Sequence, residues 1–133
     1  MTRTWTILRK GLHDRSGATA VEFALILPLV LLTIFGMIEF GRMLWIRNTM
    51  EYVAETAARY GGINTTKTQA EIEAYALTKV IGIDPAGWSW TVDTQSTYVS
   101  VSISYNYVLL TSGVLNISPV TLVATARFPR VAI

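Results

Sequence analysis

Apolar side chains follow three different rhythms along this chain. From Phe23 to Ile38 they are nearly continuous: no residue is charged and Thr33 is the only polar side chain. As a helix rising 1.5 Å per residue, that core is about 24 Å long. Adding residues 18–21 and Phe40 reaches the roughly 20 residues that a bilayer core requires, and it draws Glu22 and Glu39 into the segment. From Met43 the rhythm changes. Met43, Ile46, Met50, Val53 and Ala57 recur at spacings of three and four, which makes one apolar stripe on a helix. Arg42, Glu51, Glu55 and Arg59 fall largely on other faces, and Glu55 and Arg59 are placed as an i,i+4 ion pair. Gly61-Gly62 predicts the end of the helix. A single helix of roughly 65 Å is therefore expected from about Ala18 to Tyr60, in lipid over residues 20–40 and amphipathic beyond.

The rest of the chain pairs a short helix with period-two strands. Thr68 followed by Glu71 is a capping box, and Ala70, Ala74, Leu77 and Ile81 give the expected apolar face of a second helix. Gly82 and the stretch Asp84 to Gly87 are expected to break it. In "WSWTVDT", Trp88, Trp90 and Val92 alternate with Ser89, Thr91 and Asp93. In "YVSVSISYNYV", Val99, Val101, Ile103, Tyr105 and Tyr107 face one way and Ser100, Ser102, Ser104 and Asn106 the other. "VTLVATARF" places Val120, Leu122, Ala124, Ala126 and Phe128 on one face. The expected fold is α+β: a long N-terminal helix, a second short helix and a three-stranded antiparallel sheet whose apolar face the helices cover. The expected organisation is a basic segment over 1–17, the long helix over 18–62, and an α/β domain over 63–133 packed on the helix's second half.

Composition agrees with a membrane protein. Charged residues are 15% and apolar residues 51%, against about 25% charged in soluble domains. The net charge of +2 hides an asymmetry: Arg3, Arg9, Lys10 and Arg15 against Asp14 leave +3 on residues 1–17, so the remainder carries 2 − 3 = −1. Basic residues before an apolar run place the N-terminus in the cytoplasm and residues 43–133 outside. A secretory signal would need small residues after the run, where "GMIEFGR" has bulky and charged ones. The small residues Gly17, Ala18 and Ala20 come before it, so a cut there would leave the apolar helix on the mature chain.

This inverted order resembles the type IV prepilins, and "GATAVEFALILPLVLLTIFGMIEFGR" resembles the TadE-like proteins of bacterial Tad (tight adherence) pilus systems. The resemblance covers about residues 15–60. It rests on a basic leader ending in glycine, a glutamate at the fifth position after it, a proline a few residues on, and the "IEFGR" exit of Glu39, Gly41 and Arg42. It implies a pilin-like lollipop and cleavage by a prepilin peptidase between Gly17 and Ala18. It also implies pairing of Glu22 with the new amine of Ala18 on a neighbouring subunit, where an ammonium and a carboxylate partly neutralise each other in low dielectric. The implied partners are the peptidase, other pilin or pseudopilin subunits, the Tad inner-membrane assembly machinery and lipid. The implied location is the inner membrane, single-pass. The companion TadF-like proteins share this layout.

Chemistry beyond assembly finds little footing. Cysteine is absent and the only histidine, His13, lies in the basic tail. Glu51, Glu55, Glu71, Glu73, Asp84 and Asp93 are scattered, and Glu71 and Glu73, two apart on a helix, do not share a face. No enzyme activity, cofactor, metal or nucleic-acid partner is expected. Asn64-Thr-Thr66 and Asn116-Ile-Ser118 match the N-glycosylation pattern, and both are discounted for the bacterial protein that the resemblance implies. The stretch 109–119 is unusually apolar for a loop, and Leu109, Leu110, Val114 and Leu115 are candidates either to fold back over the sheet edge or to contact another subunit. Trp88, Trp90, Tyr105 and Tyr107 could line a sugar site, but alternation places them on inward faces. Two other readings stay open: an unprocessed single-pass anchor displaying a small binding domain, and an accessory subunit of a membrane enzyme.

Overall fold

The computed structural model describes residues 15–130. The tail 1–14 of the expected leader, with His13, lies outside the described residues. Helix α1 spans Arg15–Ile63, and a short helix α2 spans Gln69–Leu77. A 3-10 turn at Pro85–Gly87 leads into β1 (Trp88–Thr94) and β2 (Tyr98–Tyr107). A four-residue helix α3 (Ser112–Leu115) then precedes β3 (Val120–Pro129). The expected long helix, second short helix and three-stranded antiparallel sheet are thus all present. The chain forms two compact units, residues 1–38 and 39–133.

The described part of the first unit is helical and apolar on all sides. Val21, Phe23, Leu25, Leu29, Phe35 and Met37 are each more than half exposed. Together with a mean hydropathy of 2.4, this is a helix long and apolar enough to cross a membrane. Its few polar or irregular positions are accommodated within the helix. The Thr33 hydroxyl donates to the Leu29 carbonyl at 2.9 Å, so it does not stand bare among the apolar side chains. The helix continues through Pro28, a residue that removes one backbone donor and is tolerated in membrane helices.

In the second unit, the predicted stripe is the buried one. Ile46, Met50, Val53 and Ala57 are buried, joined by Ala54 and Ala58, and Met43 packs against them. They meet the inward face of the sheet, whose order is β1-β2-β3. The register stacks that face in rows: Trp88–Tyr105–Leu122, Trp90–Ile103–Ala124, Val92–Val101–Ala126 and Thr94–Val99–Phe128. Val99, Val101 and Ile103 on the central strand are fully buried, because that strand has neighbours on both sides as well as the helix above it. On the other face Ser102 and Thr125 share a hydrogen bond of 2.9 Å between hydroxyls, and Thr121 donates to Asn106 at 2.8 Å.

Three expectations need correcting. Gly61 and Gly62 do not end α1, which runs on to Ile63. Both are buried packing positions: a Cβ on Gly61 would lie 2.6 Å from Ile72 Cδ1, and one on Gly62 would lie 2.8 Å from the Pro129 carbonyl oxygen. The second helix starts at the predicted capping box but stops at Leu77, and its buried residues are Ile72 and Ala76. Ala70 and Ala74 are exposed, as are Leu77 (43%) and Ile81 (74%). What decides the face is tertiary: Ile72 fits where Gly61 lacks a side chain, and Tyr75 stacks on Tyr60 with ring centres 3.9 Å apart. Finally, the i,i+4 ion pair on α1 is Arg47–Glu51 at 3.1 Å. Glu55 and Arg59 instead border a shallow hollow with Arg127 and Phe128.

The capping box is complete. Thr68 accepts from the Glu71 N–H at 3.3 Å, and the Thr68 N–H donates to the Glu71 carboxylate at 2.9 Å. Lys67 adds a salt bridge of 2.8 Å. These donors, Lys67 first and then the Thr68 N–H, pull the Glu71 carboxyl down to about 2. A depressed carboxyl contributes stability that is present above its ordinary range near 4.5 and is lost as pH falls towards 2. Thr68→Ala removes one half of the box and should lower unfolding free energy by about 1 kcal/mol, read from denaturant unfolding of the full chain. A change below about 0.3 kcal/mol would show that tertiary packing alone sets the start of α2.

Candidate functional site at the end of the apolar span

The span is bounded by the two carboxylates that the sequence reading singled out, and the structure gives them different surroundings. Gly17 and Ala18 lie in the first turn of α1 and are exposed. A Cβ added to Gly17 meets nothing within 4 Å, so packing within the chain does not require glycine there. Glu22 is exposed one turn after Ala18, on the flank of the apolar surface.

Glu39 is the opposite case, at 5% exposure the one buried charged residue among those described. Its carboxylate holds two groups from the segment where β2 ends. One oxygen accepts the Tyr107 hydroxyl and the other accepts the Leu110 backbone N–H. Tyr107 is 1% exposed, its ring edge-on to Tyr105 with centres 6.4 Å apart. Arg42, one turn further along α1, places its guanidinium 5.7 Å from the centre of the Tyr107 ring, within the range of a cation–π contact. Burial first, and then the hydrogen bond to Glu39, push the Tyr107 hydroxyl up to about 12, so it stays a donor across the physiological range. Both Glu39 carboxylate oxygens are thereby engaged within the chain. The arrangement is a latch that ties the strand end and the turn at 108–110 to the helix just where the apolar span stops.

Of the three exit residues, Glu39 and Arg42 therefore meet on Tyr107, whereas Gly41 does not take part. It is exposed, and a Cβ there also meets nothing within 4 Å. Of the candidate contact loop, Leu109 packs on the core, while Leu110 is 70% exposed and only its backbone is engaged. The side chains of Val114 and Leu115 lie outside the described residues. Asn116 closes α3 in the left-handed region at φ 49°, a conformation that asparagine tolerates well. The sequence placed Tyr107 on the inward face, but pairing it with a glutamate 68 positions away was out of reach of pattern reading. The available signal was a lone carboxylate at the close of an apolar run, a position where a partner is needed.

Among the described residues, no group of three or more histidine, cysteine or acidic side chains could hold a metal ion. The model of the TadE-like protein family matches residues 17–59, the apolar span and most of the amphipathic half of α1. Comparisons with curated proteins and with solved structures gave no match.

Proposed function

From a TadE-like segment over residues 17–59 as premise, we propose that this chain is a pseudopilin of a Tad-type pilus. It is a minor pilin or assembly component, cut by a prepilin peptidase between Gly17 and Ala18. The observation that carries the reading is the junction itself: an exposed Gly17 that packing does not require, followed by Glu22 on an apolar, membrane-length helix. A carboxylate near hydrocarbon is costly, about 2.5–3.5 kcal/mol at the bilayer centre. A free amine on Ala18 of a neighbouring subunit offsets that cost, and the new N-terminus exists only after cleavage. Glu39 cannot serve the same purpose, since its oxygens are occupied within the chain. The protein's role is structural, with the folded unit outside the cytoplasm and its partners the other pilin-type subunits and the inner-membrane assembly machinery.

The test is the intact mass of the protein isolated from its native membrane. A chain starting at Ala18 is expected, Gly17→Val should abolish the cut, and Glu22→Ala should still be processed but lose co-purification with pilus components. A wild-type chain still starting at Met1 would overturn the reading and leave a single-pass anchor displaying a small binding domain.

A further inference from the structure

The end of the second unit at which the chain leaves the apolar span carries a second apolar feature. Three segments meet there. Trp45 lies six residues after Glu39 on α1 and is 54% exposed. The 79–84 segment comes up against it: Gly82 adopts φ +72°, and a Cβ there would be 3.3 Å from the Trp45 ring. Trp45, Lys79 and Ile81 line one open hollow of about 320 Å³, and Trp45 with Arg42 and Asp84 lines another of about 210 Å³. The third segment is the turn after β2, latched to Glu39, which leaves Val108 57% and Leu110 70% exposed.

We propose that these tips, Trp45, Ile81, Val108 and Leu110, seat the folded unit in the headgroup layer of the bilayer that its own helix crosses. The occupant follows from continuity: the helix surface leading into Trp45 is the same exposed apolar surface, through Phe40 and Leu44, that the span presents to lipid. The distance also fits. For Trp45, six residues of helix rise about 9 Å, against an interfacial layer of roughly 5–8 Å beyond the hydrocarbon. The hollow with Lys79 and Ile81 runs from Trp45 up to Tyr52, so Trp45 and Leu110 are the deepest tips and Ile81 lies at the outer edge of the layer. The chemistry is interfacial: a tryptophan beside aliphatic tips, with Arg42 and Lys79 near lipid phosphates and Asp84 the acid among them. Gly82 lies close against the Trp45 ring and Glu39 holds the Leu110 N–H, so these two tips are positioned from within the folded unit. Such a seat restrains the head against the membrane before any assembly step.

The inference rests on the membrane reading, and the absence of cysteine in the sequence allows one experiment to separate the two. Single cysteines at Leu31, Ile81, Leu110 and Ser100 in the full chain, labelled with an environment-sensitive fluorophore, are reconstituted at low density in vesicles. The vesicles contain phosphatidylglycerol, phosphatidylethanolamine and lipids spin-labelled at the headgroup or mid-chain. The expected result is mid-chain quenching at Leu31 and at least three-fold stronger headgroup quenching at Ile81 and Leu110 than at Ser100. If Leu31 is quenched but Ile81 and Leu110 behave like Ser100, the seat is wrong and the span stands. Loss of quenching at Leu31 overturns both. Labels at Ile81 and Leu110 shielded from aqueous iodide yet unquenched by lipid would mean that a second copy covers the patch, which also overturns the proposal.

Discussion

Glu39→Ala is expected to destabilise the folded unit on the order of 3 kcal/mol, the largest effect expected of a single change to a polar residue among the described residues. The reason is what the substitution leaves behind. The Tyr107 hydroxyl and the Leu110 N–H both donate to this carboxylate. A buried donor deprived of its acceptor costs about 1–3 kcal/mol. The truncated side chain also opens a void beside the Tyr107 ring. Glu39→Gln keeps the volume and one oxygen, so it should fall between parent and alanine. Tyr107→Phe leaves one buried Glu39 oxygen without its donor and should cost about 1.5 kcal/mol or somewhat more, still less than Glu39→Ala, because the Leu110 N–H keeps its acceptor. Because the two groups share one interaction, the double variant Glu39→Ala/Tyr107→Phe should be less damaging than the sum of its parts. Denaturant unfolding of the full chain in micelles, followed by near-ultraviolet circular dichroism, measures all four. Additive losses, or an alanine variant within about 0.5 kcal/mol of the parent, would dismiss the latch. The same latch has a pH signature. A hydroxyl raised from its ordinary 10 to about 12 contributes stability that is complete below pH 10 and is lost as pH climbs towards 12. Tyr107→Phe removes that part of the alkaline decline.

Gly62→Ala is the second large effect, and here the sign alone is informative. Alanine is the better helix former by about 1 kcal/mol, so a glycine that merely sat in the helix would be improved by the change. In this fold the new methyl would meet the Pro129 carbonyl oxygen at 2.8 Å and press on the Phe128 ring. Backbone cannot swing aside as a side-chain tip can. Overpacking of this kind costs typically 1–3 kcal/mol, occasionally more, and it should outweigh the gain in propensity. Gly41→Ala is the internal control, since its methyl meets nothing within 4 Å, and it should be neutral or stabilising by up to about 1 kcal/mol. A stabilising Gly62→Ala would mean that α1 and the end of β3 are less closely packed than the structure has them.

The packing glycines and the latch show why some features were legible in the sequence and others were not. Periodicity is local, so it survives without knowledge of partners. The change from a continuous apolar run to a three-four stripe located the span and the buried face of α1 through Ile46, Met50, Val53 and Ala57. Strict alternation located the strands and their inward faces, and β1 begins and ends at the residues expected. The glycine-to-glutamate spacing and the "IEFGR" exit carried the TadE-like resemblance, which the family match over residues 17–59 supports. Failure came where a residue's meaning depends on what is across from it. Gly61-Gly62 reads as a stop in one dimension and as a close approach in three. On α2 two apolar faces were available, and Gly61 and Tyr60 selected the one bearing Ile72, Tyr75 and Ala76.

By itself, then, the sequence determined the long helix with its membrane-length span, the start of α2 and the three strands, because each is a property of neighbours along the chain. Only the tertiary structure decided what Glu39 does. Its two donors arrive from the end of β2, 68 and 71 positions away. Nothing in a one-dimensional pattern reveals which distant hydroxyl and which amide a buried carboxylate needs to satisfy.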